Sequence, residues 1–311
     1  MSSLPLLDAA AVAAALPMPA AIRAVRTALL NGLDPEEDPP RVAVPVRHGQ
    51  LLLMPAQWGR YTGVKLATVA PANPGKGLPR IQGDYLLMDA ETLTPLALLD
   101  GVSLTAIRTA AVSAVAVDAL AEAGASRLVV FGSGPQARSH VAALRAVRPV
   151  SQVVVIGRNS DRAQALAAAC TGDGLEARTG TIADVATADL IACCTTARTP
   201  LFDGSLLPSS ATVVAVGSHE PDAREVDDAT IRASTVVVEA RSAALREAGD
   251  VLHPIRAGSF DPCSLIDLAS LVRGNVRISR TGPRLFKSVG MAWEDLVVAA
   301  ETYEASKGEP Q

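Results

Sequence analysis

The sequence is poor in the residues that build metal centres and disulfide frameworks. Four cysteines (Cys170, Cys193, Cys194, Cys263) and four histidines (His48, His140, His219, His253) are scattered over 311 residues. No C-x-x-C pair occurs. Adjacent Cys193 and Cys194 point to opposite faces if they lie on a strand, so one tetrahedral metal cannot easily take both. The cysteines read as small buried hydrophobes in a reducing cytoplasm, and no metal site is expected. Excess positive charge is also absent: 28 basic and 32 acidic residues leave a net charge of -4. That balance lacks the signature of a nucleic-acid or membrane-surface binder. No apolar run of membrane-spanning length is free of charge or helix breaker, so no membrane span is expected. The Ala-rich N-terminal stretch has no basic region before it and is interrupted by Pro17 and Pro19. It reads as a short capped segment, then a helix from about Pro19 to Leu30, rather than a signal peptide. Beyond an alanine bias there is no repeat and no low-complexity segment.

What is present is apolar substance, 49% of all residues, in a chain long enough for about two domains. From Arg41 to Asp100, "RVAVPV", "QLLLMPA", "TGVKLATVA", "DYLLMDA" and "TPLALLD" are short runs divided by turn residues, the pattern of antiparallel strands. Lys65 interrupts the third run, in which Val64, Leu66 and Val69 read as core. It is either a surface lysine or one facing a partly buried cleft, with a lowered pKa and a proton to donate. A helix follows from Ser103, a candidate N-cap, to Gly124, a candidate stop. It carries Arg108 among Ala, Val, Ile and Leu, with Leu104, Thr105, Ala111 and Val112 three and four residues away. None is a carboxylate, so Arg108 must reach water, a distant acid such as Asp100 or Asp118, or an anionic ligand.

The rhythm then changes. "RLVVFG", "QVVVIG", "DLIACCTT", "TVVAVGS" and "TVVVEA" are continuous apolar strands, with helices expected over about Pro135–Val147 and Asp161–Cys170. Such βαβ units imply a parallel sheet covered on both faces. The segment "MAWEDLVVAAETYEASKGE" reads as a closing helix with Trp293, Leu296, Val297 and Ala300 at core spacing. "VVFGSGPQA" ends the first of these strands and opens a helix. Gly132 and Gly134 give the tight turn and close backbone approach, and Ala137 stands at the third glycine position. Pro135 suits the first helical turn, and the helix N-terminus can present N–H groups to a pyrophosphate. The alternative is a plain tight turn. The second strand ends in Gly157, Arg158 and Asn159, where an acid would bind the 2′-hydroxyl of NAD. Arg158 can pair with a 2′-phosphate instead, which favours NADP(H) and leaves NAD(H) possible. Otherwise Arg158 is a solvated loop residue and Asp161 caps the next helix.

Taken in order, "GVKLATVAPANPGKGLP", "LLDGVSLTAIRTAAVSAVAVDAL", "VVFGSGPQARSHVAAL", "VGSHEPDAREVD", "EAGD" and "FKSVGMAWEDL" resemble the ornithine cyclodeaminase/mu-crystallin family, from about Arg41 to Glu301. The resemblance implies an α/β protein: a Rossmann parallel-sheet domain (117–289) inserted in a mostly antiparallel β substrate and dimerisation domain (1–116 with 290–311). It implies a homodimer. It also implies that Arg41 and Arg108 clamp a substrate carboxylate, where forked, charge-assisted bonds fix orientation. Lys65 would contact the carboxylate or the reacting nitrogen, or orient a water. By the same match Gly132, Ser133, Gly134, Pro135, Gln136, Arg158, Asn159, Thr195 (or Thr196), Val216, Gly217, Ser218 and Ser288 lie at the coenzyme. Thr109 adjoins the nicotinamide or a phosphate, and Val289 the substrate.

Two departures bear on the substrate. His219 stands where cyclodeaminases carry an aspartate, and the glutamate expected near Leu52 is missing. A diamino acid calls for such carboxylates, so a less cationic substrate is expected. His219 follows the fourth strand of the parallel sheet, at the edge where Rossmann folds bind ligands. It is either a surface residue or a proton donor near neutral pH. The expected activity is NAD(P)H-dependent reduction of a small, cyclic α-imino acid such as pyrroline-2-carboxylate or piperideine-2-carboxylate, with Lys65 and His219 handling the proton. The alternatives are an ornithine cyclodeaminase, an amino acid dehydrogenase of the alanine dehydrogenase kind, or a crystallin-like protein that binds NADPH without turnover.

Overall fold

A computed structural model describes residues 4–279 and 281–308. The first three residues of the N-terminal stretch and Glu309 at the end of the expected closing helix lie outside them. The chain divides into two compact units. One comprises the chain up to Thr109 and from Met291 onward, the other Ala110–Gly290.

The first unit is built on a six-stranded sheet. Its strands are β1 (Leu6–Leu7), β2 (Val42–Val46), β3 (Gly49–Trp58), β4 (Tyr61–Val69), β5 (Ile81–Asp89) and β6 (Pro95–Asp100), in the order β1-β6-β5-β4-β3-β2. All pairings are antiparallel except β1 with β6. Two helices, α1 (Ala9–Ala15, capped by Asp8) and α2 (Met18–Leu30), precede β2. The C-terminal helix (Ala292–Lys307) returns to pack on β3, β4, β5 and α2. Trp293, Leu296 and Val297 are buried in it as expected, while Ala300 is half-buried.

Alternation along β4 gives the first correction. Tyr61, Gly63, Lys65, Ala67 and Val69 occupy the covered face, and Leu66 is exposed on the other. Lys65 is therefore a core position, and Leu66 is not. Residues two apart share a face, so a core containing Val69 must take Lys65 with it. At Gly63 the reason for glycine is steric: a Cβ there would meet the Tyr85 hydroxyl oxygen at 2.5 Å.

Helix α3 (Gly101–Leu120) carries the chain from the first unit into the second. Its N-terminus is capped by Asp100, whose Oδ1 accepts from the Ser103 N–H at 2.7 Å. Ser103 lies inside the helix and is not its cap, because the carboxylate three residues earlier takes that role. The helix ends at Leu120, before Gly124. Its length and mean hydropathy of 1.4 would suffice to cross a bilayer, but 61% of that stretch is buried within the protein.

The second unit holds an eight-stranded, wholly parallel sheet: β7 (Arg127–Phe131), β8 (Gln152–Ile156), β9 (Glu176–Thr179), β10 (Leu190–Cys193), β11 (Thr212–Ala215), β12 (Thr235–Val238), β13 (Ile266–Asp267) and β14 (Arg284–Lys287). The order is β13-β12-β14-β11-β10-β7-β8-β9. The expected helices are α4 (Pro135–Val147) and α5 (Ser160–Gly172). Strands β10, β11 and β14 are buried at every position, so both faces of the sheet are covered. Strand order reverses between β7 and β10, which makes the C-terminal ends of those strands the switch point where ligands of such sheets bind.

Candidate functional site

The first unit gathers three of the expected residues. Lys65 projects from the middle of β4 onto the covered face, flanked in register by Met54 of β3 and Tyr85 of β5. It is 4% exposed, so it is no surface lysine. Its Nζ donates to Asp295 Oδ2 at 2.6 Å and lies 3.4 Å from the Thr105 hydroxyl. Arg108, one turn further along α3, is also buried. It donates from Nη1 to Glu294 and holds an ion pair from Nε to Asp295 Oδ1 at 3.3 Å.

Arg108 thus has acidic partners, and they are neither Asp100 nor Asp118. Asp100 caps α3, and Asp118 binds Arg148 at 2.6 Å. The partners are the adjacent acids of the C-terminal helix, both fully buried. Arg41, half-buried just before β2, is close enough for its charge to act on Lys65. Burial, with Arg108 and Arg41, lowers the Lys65 pKa to about 8, against the opposing pull of Asp295. The Tyr85 hydroxyl beside this cluster is buried, and burial with Asp295 and Asp38 pushes its pKa up. Asp38 Oδ2 accepts from the Ala292 and Trp293 N–H groups, at 2.8 and 3.1 Å, and so fixes the start of the helix that bears the two acids.

In the second unit the expected coenzyme residues line up at the C-terminal ends of the parallel strands. Gly132, Ser133 and Gly134 follow β7, and Pro135 and Gln136 open α4. Gly132 has φ +108°, and a Cβ there would meet the Cys194 carbonyl oxygen at 2.4 Å, so only glycine fits. No side chain caps α4, which leaves its first turn suited to an anion. Arg158 follows β8, exposed and without an acidic partner among the described residues. Asn159 is the N-cap of α5, accepting from the Arg162 N–H at 2.9 Å. That cap belongs to Asn159, not Asp161, and its Oδ1 is committed within the protein.

Thr195 follows β10, and Val216, Gly217, Ser218 and His219 follow β11; His219 is half-buried. Ser288 and Val289 follow β14. Thr109, at the edge of the first unit, donates its hydroxyl to the Thr105 carbonyl at 2.8 Å.

Buried acids absent from the sequence reading organise this edge. Glu225 accepts from the Thr195 N–H and hydroxyl at 2.8 and 2.7 Å and from the Gly217 N–H at 2.7 Å, tying the end of β10 to that of β11. Burial raises its pKa to about 7. Asp250 accepts from the Glu225 and Val226 N–H groups at 2.6 and 2.9 Å and pairs with Lys287 at 3.1 Å. Lys287 also donates to the Ser218 carbonyl at 2.6 Å. Glu239, after β12, accepts from the Ser288 hydroxyl at 2.6 Å and from the Val289 and Gly290 N–H groups. For Glu239, Lys287 and the Glu294–Asp295 pair the signal was the same, a charged residue inside an otherwise apolar stretch, as in "VVVEA", "RLFKS" and "WEDLVV"; Glu225 and Asp250 lie in the charged stretches "PDAREVDD" and "LREAGDV", which give no such signal. No group of three or more His, Cys, Asp or Glu suited to a metal occurs among the described residues.

Residues 5–309 match the ornithine cyclodeaminase/mu-crystallin family. The chain is 35% identical over 310 residues to the Δ1-pyrroline-2-carboxylate/Δ1-piperideine-2-carboxylate reductase of Azospirillum brasilense, covering 98% of this chain and 97% of that one. It is 36% identical to the Δ1-pyrroline-2-carboxylate reductase of Colwellia psychrerythraea, over 83% and 84% of the two chains. Among solved structures, the Δ1-pyrroline-2-carboxylate reductase of Thermococcus litoralis, in complex with NADH and L-proline, superposes with a TM-score of 0.92 at 32% identity, covering 98% of each chain. An eight-stranded parallel sheet with its glycine turn at the switch point, a cation cluster on the antiparallel sheet and a match along nearly the whole chain agree: this protein belongs to the ornithine cyclodeaminase/mu-crystallin family.

Proposed function

We propose that this chain is an NAD(P)H-dependent reductase of small cyclic α-imino acids, with Δ1-pyrroline-2-carboxylate and Δ1-piperideine-2-carboxylate as first substrates and the L-amino acid as product. The observation that carries the reading is the buried cluster of Lys65 and Arg108, with the Arg41 charge beside it. Lys65 and Arg108 pair with the carboxylates of Glu294 and Asp295, and the Arg41 charge acts on Lys65 from beside them, a gathering of cations that suits an anionic substrate. Arg41 and Arg108 hold the substrate carboxylate. Lys65 gives a proton from Nζ to the imine nitrogen, and its pKa of about 8 lets it do so near neutrality. His219, at the end of β11, is a further proton donor in this reading. A bound reduced nicotinamide supplies the hydride for the imine carbon. The two positions where a diamino acid would need carboxylates hold Leu52 and His219, which supports a substrate with one nitrogen.

NADPH is the proposed coenzyme, because Arg158 stands exposed after β8 with no acidic partner among the described residues. With Δ1-pyrroline-2-carboxylate the enzyme is expected to consume NADPH and form L-proline, with a KM for NADPH about tenfold below that for NADH, a difference of about 1.4 kcal/mol. Absence of turnover with either ring, together with ammonia release from ornithine, would overturn the substrate assignment. A lower KM for NADH would overturn the coenzyme assignment.

The homodimer is proposed on the outward face of the six-stranded sheet. Val42, Leu53 and Leu66 form one cross-strand row and are all exposed, an apolar surface of the kind that a second copy covers. The related archaeal alanine dehydrogenase, 26% identical with a TM-score of 0.92, is a dimer. Light scattering is expected to give twice the chain mass, and Leu66→Glu a monomer; a monomeric wild-type protein would refute this.

A further inference from the structure

We propose that Asp295 is a positioning residue that holds the transferable proton on Lys65 and ties that proton to the substrate-binding arginine by sharing its carboxylate between them. The inference rests on the reductase reading and deepens it. One carboxylate oxygen faces each cation: Oδ2 is 2.6 Å from Lys65 Nζ, and Oδ1 is 3.3 Å from Arg108 Nε. Asp295 is fully buried, away from bulk solvent. Glu294 meets Arg108 at Nη1 from the preceding position of the same helix. Adjacent helical residues diverge by roughly 100°, so the two acids grip the guanidinium from different sides and fix its rotation.

The charged and titratable groups facing Lys65 come from every element around it. Asp295 projects from the C-terminal helix and Arg108 from α3, Arg41 precedes β2, and Tyr85 lies across on β5. The Thr105 hydroxyl completes the ring at 3.4 Å. Burial and two guanidinium groups oppose the proton on Lys65, and one carboxylate keeps it there. Remove that carboxylate and every remaining influence acts in one direction, toward the neutral amine. The ammonium would then be lost at physiological pH, and with it the group that both attracts the substrate anion and protonates its nitrogen.

The test compares wild type, Asp295→Asn and Asp295→Glu by two readouts. One is the pH dependence of kcat. The other, without coenzyme or turnover, is the pH dependence of calorimetric binding of pyrrole-2-carboxylate, a planar anion that is not reduced. In wild type both are expected to decline as pH rises through about 8. In Asp295→Asn both declines are expected at least about one pH unit lower, with kcat at pH 8 down about tenfold or more and recovering on acidification. Asp295→Glu, which keeps the charge, should restore the wild-type decline at a reduced kcat. A folded Asp295→Asn protein, with native circular dichroism and NADPH binding, whose two declines match wild type would overturn the proposal. Should the Asn variant not fold, Asp295→Glu decides: a kcat and pH profile identical to wild type would show that the carboxylate's placement is immaterial. If wild type reduces no imino acid, the reductase reading fails, while the binding arm still reports on Asp295.

Discussion

Lys65→Met is expected to lower kcat for imine reduction about 10²–10⁴-fold, the usual contribution of a positioned general acid. Methionine conserves the length of the side chain between Met54 and Tyr85 on the covered face of β4, so the sheet is kept while the proton is removed. Coenzyme binding, proposed at the second unit, should be unchanged. The pH dependence gives the sign. Lys65 has its pKa lowered to about 8, so it is the protonated form, present below that value, that donates. Wild-type kcat should therefore fall as pH rises through about 8, and the residual rate of Lys65→Met should lack that decline. Lys65→Arg should not rescue, since a guanidinium does not release its proton. Steady-state kinetics from pH 6 to 10 check this; a Lys65→Met rate within tenfold of wild type at pH 7 would remove Lys65 from the chemistry.

Arg108→Met is expected to act on binding and on stability at once, and the two can be separated. Loss of the proposed charge-assisted contact to the substrate carboxylate should lower kcat/KM for the imino acid about 10²–10³-fold, mainly through KM. The same change removes the Arg108 cation from Glu294 in a fully buried position, and breaking such a pair costs about 3–5 kcal/mol. The double variant Arg108→Met/Glu294→Gln removes the buried negative charge as well. It should regain much of the lost thermal stability while KM stays high. A KM that recovers along with Tm would mean that Arg108 serves only the fold.

Both sheets were legible in the sequence, for different reasons. The five runs between Arg41 and Asp100 alternate and are punctuated by turns, and they became β2 to β6. The strands β7, β8, β10, β11 and β12 are continuous apolar runs joined through helices, with a glycine turn whose positive φ only that residue tolerates. Strand β14 was not legible, because its ends are Arg284 and Lys287, both buried. Their charges are met by Glu122 and the Ser210 carbonyl, and by Asp250 and the Ser218 carbonyl. No local pattern announces such partners. The same limit applied at the site. Arg108 was singled out because its own helix offers no acid, but its partners lie 186 and more residues away, where spacing rules carry no information. The core spacing of Trp293, Leu296 and Val297 says nothing of Glu294 and Asp295, although the helix is buried nearly all round through Ala299.

Strand β14 sits between β11 and β12 although it is made after both. As the chain leaves the ribosome, those two strands must wait with an open slot between them, each edge showing unpaired N–H and C=O groups. The stretch that fills the slot runs directly into the helix that brings carboxylates to Lys65 and Arg108. A single late-synthesised segment therefore finishes the parallel sheet and supplies the carboxylates that pair with Lys65 and Arg108 in the other unit. A nascent chain halted before it has neither, and is left with sticky strand edges and two basic side chains that must stay in water.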